Sequence, residues 1–303
     1  MYHRWGFMIA GLGLVLGTQF GCGTGGPADT IVRVSRQNNS GTYAYFREIV
    51  LGEKEYKLGS IDQSGSKDVV ELVSKTPNAI GYSGMGYATE GVKMLSVARD
   101  PGAEPVAPTA EHAADGTYPL ARGLYIYIMG EPTGAMKHYL DWIRSSEGQA
   151  VVAEVGYVSV APVEMTDTGS PPAGTIKVAG SDTMVNLAQA WAETYGKKYG
   201  NVVDVQVSGG GSGVGIAKLI DGTVDMANAS REMKQEERDA ASQHAGGAEV
   251  NEVTVALDAL AVYVHKDNPL SSITLQQLAE IYGDGGTIER WSQIEGWSRD
   301  AKP

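Results

Sequence analysis

The chain has a single cysteine, Cys22, in 303 residues. One thiol cannot close an internal disulfide, and it excludes a zinc–thiolate cluster. His138 and the other histidines stand at no metal-ligand spacing with carboxylates, so no metal is expected. Basic residues are also short. Lys and Arg number 24 against 36 Asp and Glu, giving a net charge of −12 and a pI near 4.9. Nucleic-acid binders carry a basic patch and a high pI, so that class is set aside. An acidic protein that binds an anion must use local N–H groups and one or two arginines, because its overall field repels the ligand. Beyond residue 17 no stretch is long and apolar enough to cross a bilayer. No nucleophile–histidine–carboxylate set and no paired-metal cluster is legible, which argues against an enzyme such as a phosphatase. No cofactor is called for.

Glycine is abundant, at 40 residues, so tight turns and close backbone approaches are expected. The length suits two domains of ordinary size. Met1 to Arg4 reads as a basic n-region and Trp5 to Gly17 as an apolar h-region. Gln19-Phe20-Gly21-Cys22 then resembles the lipobox of bacterial lipoproteins, with Gln19 where that motif usually has Leu. By that resemblance 1–22 is a signal peptide with a lipobox-like end, where cleavage makes an acylated Cys22 residue one, and 23–30 is a tether. The protein is then exported, periplasmic or at the cell surface, and anchored to a membrane. The alternative is an incidental thiol.

Periodicity lays out alternating strands and helices. Ile31–Val34 reads as a strand and Tyr43–Leu51 as a helix with Tyr45, Phe46 and Ile49 on one face. Leu124–Met129 reads as a strand, His138–Ser145 as a helix, and Val163–Gly174 as a linker. The grammar then repeats: strand Thr175–Ala179, helix Met184–Tyr195, strand Val202–Val207, helix Val214–Ile220, strand Asp225–Ala229, apolar run Val253–Val264, helix Thr274–Tyr282. Such alternation implies α/β domains with mainly parallel sheets.

Three loops share one design: Asn39-Ser40-Gly41-Thr42, Gly180-Ser181-Asp182-Thr183 and Gly209-Gly210-Gly211-Ser212-Gly213. Each follows an expected strand and opens an expected helix. Helix N-termini present unpaired N–H groups and positive dipole ends, and such termini hold phosphate or sulfate. Any one loop alone is equally well a plain N-cap. The glycine loop lacks the Lys-Ser/Thr pair of a nucleotide P-loop. Arg36 and Arg231 lie beside two of the loops, and a guanidinium fork suits an oxyanion.

These residues resemble a family. GSDTM, GGGSG, ASR and R-x3-SGT together, with AIGYSGMGYA and DGTYPLARGLYIYI, resemble phosphate-binding proteins of ABC-type uptake systems, over nearly everything after residue 30. The resemblance implies a two-lobed periplasmic-binding-protein fold with two crossing strands and a ligand cleft between the lobes. It implies a monomer that captures inorganic phosphate and hands it to an ABC transporter permease. Carried over, Ser181, Asp182 and Thr183 form the first anion loop, Gly211 and Ser212 the second, and Ser230 with Arg231 the third contact. Arg36, Ser40, Gly41 and Thr42 are the opposing grip. Where some relatives have a proton-accepting Asp after the third-contact serine, this chain has Arg231, leaving Asp182 or Asp258 as acceptor. The order departs from the family: the SGT half precedes the GSDTM half, as in a circular permutant. A gene-assembly artefact leaves the same trace. One lobe is then 124–258, containing linker 163–174, and the other is 31–118 plus 262–303. The crossings fall near Leu257–Val264 and Pro119–Tyr127. Sulfate, molybdate or tungstate binding, or a non-transporting phosphate sensor, remain alternatives.

Overall fold

The structure is a computed structural model and describes residues 29–52, 54–165, 169–244 and 249–297. The expected signal peptide, Cys22 and nearly all of the tether lie outside them. Among the described residues no helix is long and apolar enough to cross a membrane.

Strand β1 (Val32–Arg36) turns into helix α1 (Gly41–Phe46). Ser40 caps α1, its Oγ accepting the Thr42 N–H at 3.2 Å. The helix then widens into a π-turn, Arg47–Leu51. Phe46 is fully buried and Tyr45 packs on the core, as the helical spacing requires. Ile49 does not follow: it is 40% exposed, while Val50 and Leu51 are buried. A π-turn holds more residues per turn than an α-helix, so the apolar face moves on by one residue.

The chain continues through β2 (Ile61–Gln63), α2 (Ser66–Lys75), β3 (Ala79–Gly84), β4 (Val92–Ala98), α3 (Ala110–Ala114), β5 (Ala121–Met129), α4 (Gly134–Arg144) and α5 (Ser146–Glu154). After the linker come β6 (Gly174–Gly180), α6 (Val185–Tyr199), β7 (Val203–Ser208), α7 (Ser212–Ile220), β8 (Met226–Ala229), α8 (Gln235–His244), β9 (Val250–His265), β10 (Ser272–Thr274) and α9 (Leu275–Tyr282).

Strand order is β2-β1-β3-β9-β5-β8-β6-β7, with β4 also on β9 and β10 on β4. β1 runs parallel to β2 and β3, and β6 parallel to β7 and β8. The two longest strands break that pattern. β5 and β9 pair antiparallel from Ala121↔Ala259 to Met129↔Val250. Beyond Ala259, β9 pairs antiparallel with β3 and β4. The sheet is therefore mixed rather than mainly parallel, because the segments expected to cross lie inside it as antiparallel members. The fold remains α/β.

The two largest of four buried apolar clusters flank this crossing. One gathers Ile31, Phe46, Ile80, Leu260, Val262, Tyr282 and Trp291, so it draws on both ends of the described chain. The other gathers Leu124, Trp142, Val178, Trp191, Tyr195 and Val255. Trp191 and Trp291 are each 1% exposed and anchor the two cores. β9 supplies residues to both cores, so it is the mechanical link between them.

Gly180 ends β6 with φ +138°, and a Cβ there would stand 2.2 Å from the Asn228 carbonyl oxygen. Both the backbone conformation and the contact demand glycine. Gly180→Ala is expected to destabilise the protein by about 2–4 kcal/mol, from backbone strain plus overpacking. Urea unfolding measures this, and an unchanged midpoint counts against it.

Candidate functional site: a hydroxyl and guanidinium cluster

The β6–α6 turn is held from several sides. Ser181 N–H donates to the Asn228 carbonyl at 2.8 Å. Tyr157 OH donates to the Thr183 carbonyl at 2.5 Å, and Tyr87 OH to the Asp182 carbonyl at 2.8 Å. These bonds fix the backbone and free the side chains of Ser181, Asp182 and Thr183 for other partners. Ser181 Oγ donates to Ser230 Oγ at 2.9 Å, and Ser230 N–H donates to Ser212 Oγ at 3.1 Å. Ser181, Ser212 and Ser230 thus form one chain at the ends of β6 and β8 and the start of α7. All three are buried.

The opposing grip closes on this chain. Thr42 Oγ1 and Thr183 Oγ1 are 2.7 Å apart and share a hydrogen bond. Gly41 sits against Ser212 and Ser230, since a Cβ on it would stand 2.2 and 2.6 Å from their hydroxyl oxygens. Asn39 ties the loops further: its carbonyl accepts from Gly213 N–H at 3.2 Å, and its Nδ2 donates to the Gly210 carbonyl at 3.0 Å. Gly211 N–H donates to the Gly180 carbonyl at 3.0 Å, joining the glycine loop to the first loop.

Arg36 is fully buried at the end of β1. Its Nη1 donates to Ser66 Oγ at 2.9 Å, and its Nη2 to the Ser64 carbonyl at 2.8 Å and to Asp182 Oδ2 at 3.2 Å. Burial lowers its pKa from the ordinary arginine value, and the Asp182 carboxylate opposes that shift. Asp182 Oδ1 accepts the Gly210 N–H at 2.9 Å. Asp182 therefore touches the expected grip, the first loop and the glycine loop at once.

Ser40, Gly41, Thr42, Arg36, Ser181, Asp182, Thr183, Gly211, Ser212 and Ser230 thus converge on one place. Two other expected residues stand apart from it. The Arg231 guanidinium is held by Glu237 in a bidentate pair at 2.6 and 2.7 Å and by the Glu232 carbonyl at 2.8 Å. α8 brings this carboxylate within reach and engages the fork, whose Nη2 lies 3.7 Å from where a Cβ on Gly213 would stand. Arg231 lines a groove of about 940 Å³ together with Tyr43, Tyr45, Tyr125 and Lys234. Asp258 is fully buried but pairs with Arg122 at 2.7 Å and accepts the Met85 N–H at 3.1 Å. It lies beside the cluster, not in it.

Ser66 and Arg122 belong here and were not foreseen. Ser66 Oγ lies 3.3 Å from Thr183 Oγ1. Its signal is Ser64-Gly65-Ser66 opening α2, the same grammar as the other loops. Arg122 is a lone charge inside an apolar strand.

Chemically, hydroxyls from seven residues, two buried guanidiniums and the Asp182 carboxylate meet here, with the Asp258 carboxylate behind Arg122. Formal charges cancel, and hydroxyls that bond one another can rotate to donate to a ligand. Such a place suits a small, multiply accepting anion.

A fold of two cores linked by antiparallel crossing strands, with donors converging between them, defines a solute-binding protein. The PBP superfamily domain matches residues 18–147 and 166–303, and the chain belongs to that family. It is 30% identical to phosphate-binding protein PstS 2 of Streptococcus pneumoniae over 95% of this chain and 96% of that protein. Identity to PstS 2 of Streptococcus agalactiae is 29%, over 96% and 98%. The PstS of Pseudomonas aeruginosa is 39% identical over 127 residues, 41% of this chain and 39% of that protein. The crystal structure of a phosphate-binding protein of a phosphate ABC transporter from Streptococcus pneumoniae superposes with TM-score 0.66 and 29% identity, covering 88% of this chain and all of that one.

Proposed function

We propose that this protein captures inorganic phosphate outside the cytoplasm and delivers it to the permease of an ABC transporter. One observation carries the reading: loops from two separate cores meet at a buried set of hydroxyls served by Arg36 and Asp182. The relatives' names point the same way. In this reading Ser181, Thr183, Ser212, Ser230, Thr42 and Arg36 donate to phosphate oxygens, and Asp182 accepts the phosphate proton. The lobes 31–118 plus 262–303 and 124–258 close on the ligand, and a lipidated Cys22 tethers the monomer. Titration calorimetry of the protein lacking residues 1–22 tests it. Phosphate is expected to bind with sulfate, molybdate and tungstate failing to compete; stronger binding of any of those three replaces phosphate as the cargo.

Asp182→Asn tests the proton acceptor. Near neutral pH phosphate carries a proton and sulfate none. A carboxylate accepts that proton and repels sulfate; an amide donates to both. The phosphate-to-sulfate affinity ratio is expected to fall about tenfold or more, the worth of one charge-assisted hydrogen bond. An unchanged ratio in competition calorimetry removes Asp182 from that role.

A further inference from the structure

Arg122 is the only charged residue of β5, and Asp258 is the only one in the Val253–Val264 stretch of β9. Arg122 is the second residue of β5 and Asp258 stands opposite it on β9, the two being register partners. Their side chains are 2% and 0% exposed. The pair is bidentate on one oxygen: Arg122 Nε and Nη2 reach Asp258 Oδ2 at 3.0 and 2.7 Å. A buried ion pair brings little net stability over a well-packed apolar pair. Its presence at the crossing therefore calls for another use.

That use lies in what the rest of the guanidinium touches. Nη1 donates to the Ser230 carbonyl at 3.1 Å, and Nη2 approaches Thr183 Oγ1 at 3.5 Å. Thr183 Oγ1 is also the partner of Thr42 Oγ1 and Ser66 Oγ. A guanidinium only donates, so Arg122 occupies a lone pair of Thr183 and turns that hydroxyl's own proton away from itself. It also fixes the carbonyl of Ser230, whose N–H and Oγ complete the serine chain. Asp258 sets the fork's direction, and its other oxygen takes the Met85 N–H beyond the end of β3. The pair thus connects the end of β3 to Thr183 and Ser230 through one rigid plane.

We propose that Arg122, aimed by Asp258, is the positioning residue that presents the Thr183 hydroxyl and Ser230 to the bound anion, and the second cation of that site. This rests on the phosphate reading above and reassigns Asp258 from proton acceptor to orienting partner. A Lys in place of Arg122 keeps the charge and loses the fork.

The test is phosphate titration of wild type, Arg122→Lys, Arg122→Gln/Asp258→Asn, Thr183→Val and the triple combination. The paired amides are used because Arg122→Gln alone strands a buried carboxylate. Cooperative thermal melting of the ligand-free double variant verifies that it folds. Its phosphate affinity is expected to fall about 30-fold, within the range for hydrogen bonds to charged groups. Arg122→Lys is expected to recover only part of that loss. In the Thr183→Val background the same pair of changes is expected to cost about tenfold rather than 30-fold, because the hydroxyl it orients is gone while the Ser230 contact and the charge remain; such non-additivity is the mark of residues in one network. A folded double variant that binds within twofold of wild type overturns the proposal. Additive losses with Thr183→Val overturn the route through that hydroxyl. Wild-type protein that binds no phosphate brings down the functional reading itself, and this proposal with it.

Discussion

Gly41→Ala is expected to weaken phosphate binding about 100-fold or more while leaving the ligand-free protein as stable as wild type or slightly more so. A Cβ at position 41 would lie 2.2 Å from Ser212 Oγ, 2.6 Å from Ser230 Oγ and 3.0 Å from Ser212 Cβ. The hydroxyls can turn aside, but Ser212 Oγ would then release the Ser230 N–H. The Ser212 Cβ cannot turn at all. Relief therefore comes from holding α1 away from the serines, which opens the place where the donors converge. Losing one or two charge-assisted bonds and the close fit together amounts to roughly 3 kcal/mol, or about 100-fold in affinity. Stability moves the other way. Gly41 is the first residue of α1, and alanine is the better helix former by up to about 1 kcal/mol. The contact it disturbs joins the two cores and lies inside neither. Calorimetry with phosphate and urea unfolding without it read the two effects separately. Affinity within threefold of wild type removes Gly41 from the grip; a matching loss of both affinity and stability marks a general folding defect instead.

The loops were legible because each combines glycine with small hydroxyl residues between a strand pattern and a helix pattern. Their convergence was implied by the resemblance alone, since nothing local in Ser40, Ser181 or Ser212 records the others. The misplaced features share a cause. Ile49 faces outward because the chain beyond Phe46 widens into a π-turn, and a 3.6-residue period cannot register that change. Arg231 was assigned by its neighbour Ser230, yet Glu237 on α8 takes its guanidinium, a tertiary contact invisible to spacing. The antiparallel crossings escaped the alternation rule because β5 and β9 pair across the whole chain. Arg122 carried the clearest unused signal. It is a single charge in Pro119–Met129, matched by the single charge Asp258 within Val253–Val264. Two lone opposite charges in two buried strands call for each other, because neither can be buried unpaired.

Deleting Thr274 to Pro303 is expected to abolish both folding and phosphate binding, the largest loss anticipated for any change to this chain. The deleted piece supplies Leu278, Ile281, Tyr282, Trp291 and Ile294 to the first core. Tyr282 OH donates to the carbonyls of Val34 and Ile80, pinning α9 onto β1 and β3. The two ends of the described chain are stitched directly. Trp291 N–H donates to the Asp29 carbonyl at 2.9 Å, and Ile31 N–H to the Glu289 carbonyl at 2.9 Å. The Asp29 carboxylate accepts from Ser292 N–H and Oγ at 3.0 and 2.7 Å. Arg33 and Lys57 both pair with Glu289. Trp291→Ala alone is expected to cost about 3–5 kcal/mol, the range for truncating a buried aromatic. The same seam makes the order of the halves dispensable. A chain restarted at Gly174, with its present ends joined and residues 164–173 removed, keeps every one of these contacts and gives up only those of the linker, such as His138 Nε2 with the Gly169 carbonyl. It is expected to fold with phosphate affinity within about threefold of the present chain, as permutation at exposed, closely spaced ends allows. Circular dichroism, urea unfolding and phosphate titration on the deletion and the reordered chain decide it. A folded, phosphate-binding deletion, or a reordered chain that cannot fold, contradicts the idea that the two termini together build one lobe.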